Sequence, residues 1–237
     1  MLVERLAAWL AGTSRSRPRA KALGWEAWQR IQRRDWSGAR FFAQAAITSD
    51  PSWPDGYRML SYAHRGAKHP AEARSALRRG IAAAPEDFRL LMDLADLERG
   101  GRQFADAAVL YRRALAVEPD NVEALWKLGR ALEGENALEE AERLLRRARD
   151  LEPSDLNVVK ALGDVLTERG AYAEALPLLE QVVKREPDNA FEYFYYAVAL
   201  AGTGHHDQAR AAAKKAVALD PHTPRYQDLL SRLDRGG

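Results

Sequence analysis

The chain has no cysteine among its 237 residues, which excludes disulfides, thiolate metal ligands and a cysteine nucleophile and leaves the redox compartment open. It has no apolar run of about 18 residues, so no membrane-spanning helix is expected. It has almost no net charge: 36 Lys and Arg stand against 34 Asp and Glu, a formal +2, too small a surplus to point to nucleic acid. Neither a phosphate-cradling glycine loop nor a nucleophile motif appears. Its 16 glycines and 11 prolines are scattered singly, with no low-complexity tract. The opening MLVERLAAWLAGTSRSRPRAK puts Glu4 and Arg5 before a short apolar run, and Arg15, Arg17, Arg19 and Lys21 after it. That polarity is wrong for a secretion signal. The expectation is a helix-rich, soluble, cytoplasmic protein.

What the sequence does hold is a ruler. Pro51, Pro85, Pro119, Pro153, Pro187 and Pro221 each stand 34 residues from the next. Six prolines align this way by chance with odds on the order of 10⁻⁵ over all frames and periods, so the period is real. At 12 residues before each proline come Ala39, Ala73, Ala107, Ala141, Ala175 and Ala209, and at 24 before come Ala27, Ser61, Ala95, Gly129, Gly163 and Ala197. One position ahead of the second set stand Leu60, Leu94, Leu128, Leu162 and Tyr196. Small residues where two helices cross let the backbones approach, and the large ones fill the space between neighbouring units. Proline ends each helix because it lacks an N–H and its ring clashes with the preceding turn. Asn121, Asp155 and Asn189, with Asp120, Ser154 and Asp188 beside them, offer side-chain oxygens to cap the helix that follows. Each unit is therefore a pair of short antiparallel helices.

This pattern resembles the tetratricopeptide repeat. The likeness is strongest in NVEALWKLGRALEGENALEEAERLLRRARDLEPS and LNVVKALGDVLTERGAYAEALPLLEQVVKREPDN, through Leu128-Gly129 and Leu162-Gly163, Ala141 and Ala175, Leu145 and Leu179, and Pro153 and Pro187. The resemblance implies an all-α fold, a right-handed superhelical α-solenoid of antiparallel helix pairs. Its units are 20–53, 54–87, 88–121, 122–155, 156–189 and 190–222, after an amphipathic helix and basic linker at 1–19 and before a capping helix at 223–237. Glu26 and Arg30 depart from the family's apolar places in the first unit, and Ala213 thins the packing of the sixth. Tyr226, Leu229, Leu230 and Leu233 share one face of the closing helix, as a stack needs to cover its end.

The resemblance further implies that the first helix of each unit lines a concave groove. Counting from Leu125 and Leu128 as inward-packing puts Trp126, Lys127, Arg130 and Glu133 there. Arg58, Met59, Tyr62 and Arg65 follow from one neighbour, and Arg89, Met92, Asp93, Asp96 and Arg99 from the next. Lys160 and Asp164, then Phe191, Phe194 and Tyr195, complete the set. A concave aromatic or arginine makes a strong anchor for a partner, which centres a peptide-binding groove on Trp126 and Arg130. The opposing reading has Trp126, Phe194 and Tyr195 padding the next helix. Family members that capture the C-terminal carboxylate of chaperones use Lys and Asn at set places. Those places here hold Gly24, Trp28, Met59, Arg89 and Asp93, without the asparagines, so that subtype is disfavoured.

Other constellations carry less. The histidines, including adjacent His205 and His206, show no metal-ligand spacing, and no cofactor is expected. Leu2, Leu6, Trp9 and Leu10 form an apolar stripe that either folds back as a cap or docks on a partner or an anionic membrane surface. Trp25, Trp28, Trp36 and Trp53 make this end aromatic enough for a subunit interface, so a homo-oligomer is admitted. The whole reads as a non-enzymatic protein-interaction scaffold or adaptor, a subunit of a larger assembly. The Ala/Arg/Gly-rich usage points to a bacterial source. An RNA-binding helical repeat is the alternative, opposed by Asp93, Asp96, Glu133 and Asp164, which would repel phosphates. A membrane-associated assembly factor docking through the N-terminal stripe is the other.

Overall fold

The computed structural model describes residues 16–235, and among them it holds thirteen helices and no strand. The stripe Leu2, Leu6, Trp9 and Leu10 lies outside the described residues. The chain forms two compact units, one up to Pro119 and one from Asp120 on. The first contains α1 (Arg17–Gln32), α2 (Trp36–Ser49), α3 (Pro54–Gly66), α4 (Pro70–Ala83), α5 (Phe88–Gly100) and α6 (Phe104–Val117). The second contains α7 (Val122–Gly134), α8 (Leu138–Leu151), α9 (Leu156–Glu168), α10 (Tyr172–Arg185), α11 (Ala190–Gly202), α12 (His206–Leu219) and α13 (Pro224–Arg235). The helix starts at 54, 88, 122, 156 and 190, and those at 36, 70, 104, 138, 172 and 206, each recur after 34 residues.

Local chemistry sets these boundaries. Asp35 accepts from the Gly38 amide at 3.0 Å, Asp87 from Leu90 at 2.9 Å, Asn121 from Ala124 at 3.0 Å and Asp155 from Asn157 at 2.7 Å, which satisfies amides that a helix start leaves unpaired. Pro54, Pro70 and Pro224 sit in first turns, where no N–H is needed. The turn inside each pair needs one residue in the left-handed region. That residue is Arg34 (φ 57°), Lys68 (63°), Arg102 (60°), Asn136 (58°), Gly170 (76°) and Gly204 (83°) in successive pairs.

The small-residue columns are the axis of packing. Ala39, Ala73, Ala107, Ala141, Ala175 and Ala209 are all buried, as are Ala27, Ser61, Ala95, Gly129, Gly163 and Ala197. Leu23, Phe42, Tyr57, Leu60, Leu77, Leu90 and Leu94 fill the first unit. In the second, Leu200, Ala212 and Ala213 are covered by Leu229 of α13, with Leu230 and Leu233 packed against them.

The departures in the first pair are absorbed. Arg30 forms an ion pair with Asp35 at 2.7 Å and lies 5.4 Å over the Phe42 ring, so its stem serves as apolar cover. Helix α1 begins at Arg17, inside the stretch read as linker, tied down by an ion pair from Arg17 to Asp50 and by the Ser16 amide bonded to the Ser49 carbonyl.

Candidate functional site

In the first unit, the helices that open each pair present one face. From α1 come Lys21, Gly24, Trp25 and Trp28, from α3 Asp55, Arg58, Met59 and Tyr62, and from α5 Arg89, and together with Trp53 they enclose a cleft of about 460 Å³. Trp25 is 60% exposed and Trp28 37%, whereas Trp53 is buried beneath them. Gly24 is required here: a Cβ at that position would run into the Trp53 ring.

The facing wall is ionic. Arg58 Nε meets Asp93 at 2.6 Å, its Nη1 reaches Asp55 at 3.2 Å, and its Nη2 donates to the Tyr62 hydroxyl at 2.8 Å. That hydroxyl donates to Asp93 at 3.0 Å, and Arg89 shares Asp55 at 3.3 Å. Burial pushes the Tyr62 phenol up to about 12, with Asp93 adding to the rise. Burial also opposes the charge on Arg58, but Asp93 and Asp55 outweigh it and hold the guanidinium firmly protonated. The wall is thus pre-organised: both arginines already point at fixed positions, so little order is lost when a partner arrives.

In the second unit, the corresponding face is built by α7, α9 and α11. Arg130 Nη1 lies 2.7 Å from Asp164 and 2.8 Å from Glu133, and Lys160 lies 2.8 Å from Glu186 and 3.4 Å from Glu192. The Tyr195 hydroxyl donates to Glu168 at 2.7 Å. Arg225 of α13 sits 4.1 Å over the Phe194 ring. Burial raises the Asp164 carboxyl well above the usual range despite Arg130, and raises Glu133 and Glu192 as well.

These positions correct several expectations. Met92 (6% exposed), Asp164 (0%) and Tyr195 (4%) are buried, not open groove residues. One residue along a helix turns a side chain by about 100°, so a face counted from the period admits neighbours that pack inward. Asp96 accepts from the buried Tyr111 hydroxyl at 2.5 Å and so braces α5 against α6. Arg130, expected at the centre of a groove, is closed by its two carboxylates. Trp126 and Phe194 are half-buried, the first with Lys127 lying 5.8 Å over its ring. Arg58, Tyr62 and Arg89 gather at one cleft as the period implied, while Arg65 is exposed and Arg99 half-buried, both outside its lining.

Two features escaped the sequence reading. Trp25 and Trp28 were visible as an aromatic end, but not as a wall opposite Arg58 and Arg89. Glu192 falls 34 residues after Val158 and 68 after Ala124, in a column whose other members are buried and apolar. That break in the column was the signal for it.

Sequence profiles described as tetratricopeptide repeat match this chain over residues 99–164 and 166–233, and another so described matches residues 54–97. Comparison with curated protein sequences gives no match. Among solved structures, pilF of Pseudomonas aeruginosa superimposes with a TM-score of 0.76 at 17% identity, covering 90% of this chain and 97% of that one. YrrB, described as a TPR protein with an unusual peptide-binding site, gives 0.65 at 17% identity over 78% of this chain and 96% of its own. The Cut9–Hcn1 structure of the APC/C gives 0.72 at 16% identity over 90% of this chain and 42% of that one. At these identities the likeness speaks for the fold alone. With the profile matches spanning more than half its length and every helix pair on the 34-residue register, the chain belongs to the tetratricopeptide repeat family.

Proposed function

We propose that this protein is a non-enzymatic scaffold that binds a segment of a partner protein on the face formed by α1, α3 and α5. The observation that carries the reading is the pair Trp25 and Trp28, exposed on one wall of a cleft whose other wall is the fixed Arg58–Asp93–Asp55–Arg89 network. Two adjacent indoles offer a large apolar area with few rotatable bonds to freeze, and covering such rings is among the strongest contributions an interface can make. The charged groups of this face are engaged with one another, which supports recognition rather than acid-base chemistry. YrrB's description as peptide-binding supports the same reading. The protein acts in the cytoplasm as a subunit of a larger assembly.

The test is native co-purification of the full chain and of Trp25→Ala/Trp28→Ala, with a thermal melt of each. The expected result is loss of a stoichiometric partner with the melting temperature within a few degrees of wild type, because both rings are solvent-exposed. A partner retained at full stoichiometry by the double variant would refute the assignment.

A further inference from the structure

The second unit carries a buried charge imbalance that packing does not explain. Position 192 belongs to the column Leu90, Ala124 and Val158, each buried where adjacent helix pairs meet, yet it holds a glutamate only 1% exposed. Arg130 serves Glu133 and Asp164, and Lys160 serves Glu186 and Glu192. With Glu168 at the end of α9, five carboxylates share two cations. Neither oxygen of Asp164, nor Oε2 of Glu192, receives a hydrogen bond among the described residues, although Asp164 lies within ion-pair distance of Arg130. Buried carboxylates left this way cost stability unless something answers them. A rule of packing broken without local compensation marks a place selected for another purpose.

We propose that the α7–α9–α11 face is a docking site for a basic segment of a partner protein, whose Lys or Arg side chain enters beside exposed Glu168 and half-buried Glu133 and supplies the missing cation. Charge complementarity identifies the occupant. Among the described residues no three His, Cys, Asp or Glu side chains are grouped to hold a metal ion, so a side-chain cation fits where a metal does not. The same helix already accepts a guanidinium, since Arg225 lies 4.1 Å over Phe194 and 5.3 Å over Phe191. An acidic segment or a nucleic acid would be repelled. The site is separate from the tryptophan cleft and does not depend on it.

The experiment is fluorescence anisotropy of a fluorescein-labelled alternating Arg-Gly dodecapeptide with the full chain, beside the Glu-Gly counterpart, for wild type, Glu192→Gln and Glu168→Gln. The basic peptide should bind at least tenfold more tightly than the acidic one, and each variant should weaken it about tenfold. Trp25→Ala/Trp28→Ala should leave it unchanged, which separates this site from the cleft. Glu192→Gln should melt no lower than wild type, because it removes a charge that the fold pays to bury, whereas a purely structural Glu192 would lower binding and melting together. Equal or tighter binding of the acidic peptide would overturn the proposal, and so would wild-type affinity in both variants. Loss of binding confined to a variant that also melts lower would overturn it too.

Discussion

At Gly129 the fold leaves no room for one carbon. A Cβ there would stand 2.7 Å from Leu145 Cγ and 2.9 Å from Cδ2, so Gly129→Ala trades a helix-propensity gain of up to about 1 kcal/mol against an overpacking cost of roughly 1–3 kcal/mol. The expected outcome is a net loss of about 1 kcal/mol, read as a lower urea midpoint at constant slope. Buried charge is equally exacting. Glu98 is buried on α5 and held by Arg74 at 2.8 Å and Arg78 at 3.3 Å. Removing a partner from a buried ion pair costs about 3–5 kcal/mol when nothing remains, and Arg78 does remain, so Arg74→Ala should cost about 2 kcal/mol by chemical denaturation. Gly129 could be read from the period, since it falls in a column of small residues. The partners of Glu98, Asp164 and Glu192 could not, because a 34-residue spacing aligns equivalent residues without saying which cation lies across the helix contact.

At the scale of the element, the six inner turns share one backbone shape and differ in how well the residue suits it. A left-handed conformation costs a side-chain-bearing residue about 1–2 kcal/mol, less for asparagine and nothing for glycine. The last two pairs place glycine there, and the first four place Arg34, Lys68, Arg102 and Asn136. Lys68→Gly and Arg102→Gly should each therefore stabilise the protein by about 0.5–1 kcal/mol after the entropy gained by the unfolded chain, whereas Gly170→Ala should destabilise it by about 1 kcal/mol. A melt showing the opposite order would mean that these turns are fixed by side-chain contacts instead. The helices and their caps were legible because both follow from nearest-neighbour chemistry: Pro119 stops one helix and Asn121 opens the next. The start of α1 was less so, because Arg17 and Ser16 are held by Asp50 and Ser49, 33 residues away.

For the whole molecule, the pH response divides the carboxylates into two sets. Burial raises Asp164, Glu133 and Glu192, so the folded state takes up protons that the unfolded chain does not, and their contribution grows as pH falls through the folded values. Asp35, lowered chiefly by its hydrogen bond from Arg30, and Glu186, lowered chiefly by Lys160, act the other way and lose their contribution below about pH 4. His64, lowered by burial, also subtracts on acidification, since the unfolded histidine takes a proton below about pH 6.5 while the folded one resists. The difference between wild type and Asp164→Asn isolates the first set. Wild type should gain in melting temperature relative to the variant between pH 7.5 and 5, and a gap that stays constant over that range would contradict the assignment.

The strict recurrence of helix starts has a consequence for how such a chain can change over time. Duplicating or removing one whole 34-residue module keeps every alanine column aligned, whereas inserting a single residue within a helix rotates all that follow by about 100° and carries apolar faces into water. Its gene can grow and shrink by recombination between modules, yet it is closed to the small insertions and deletions that ordinary loops absorb.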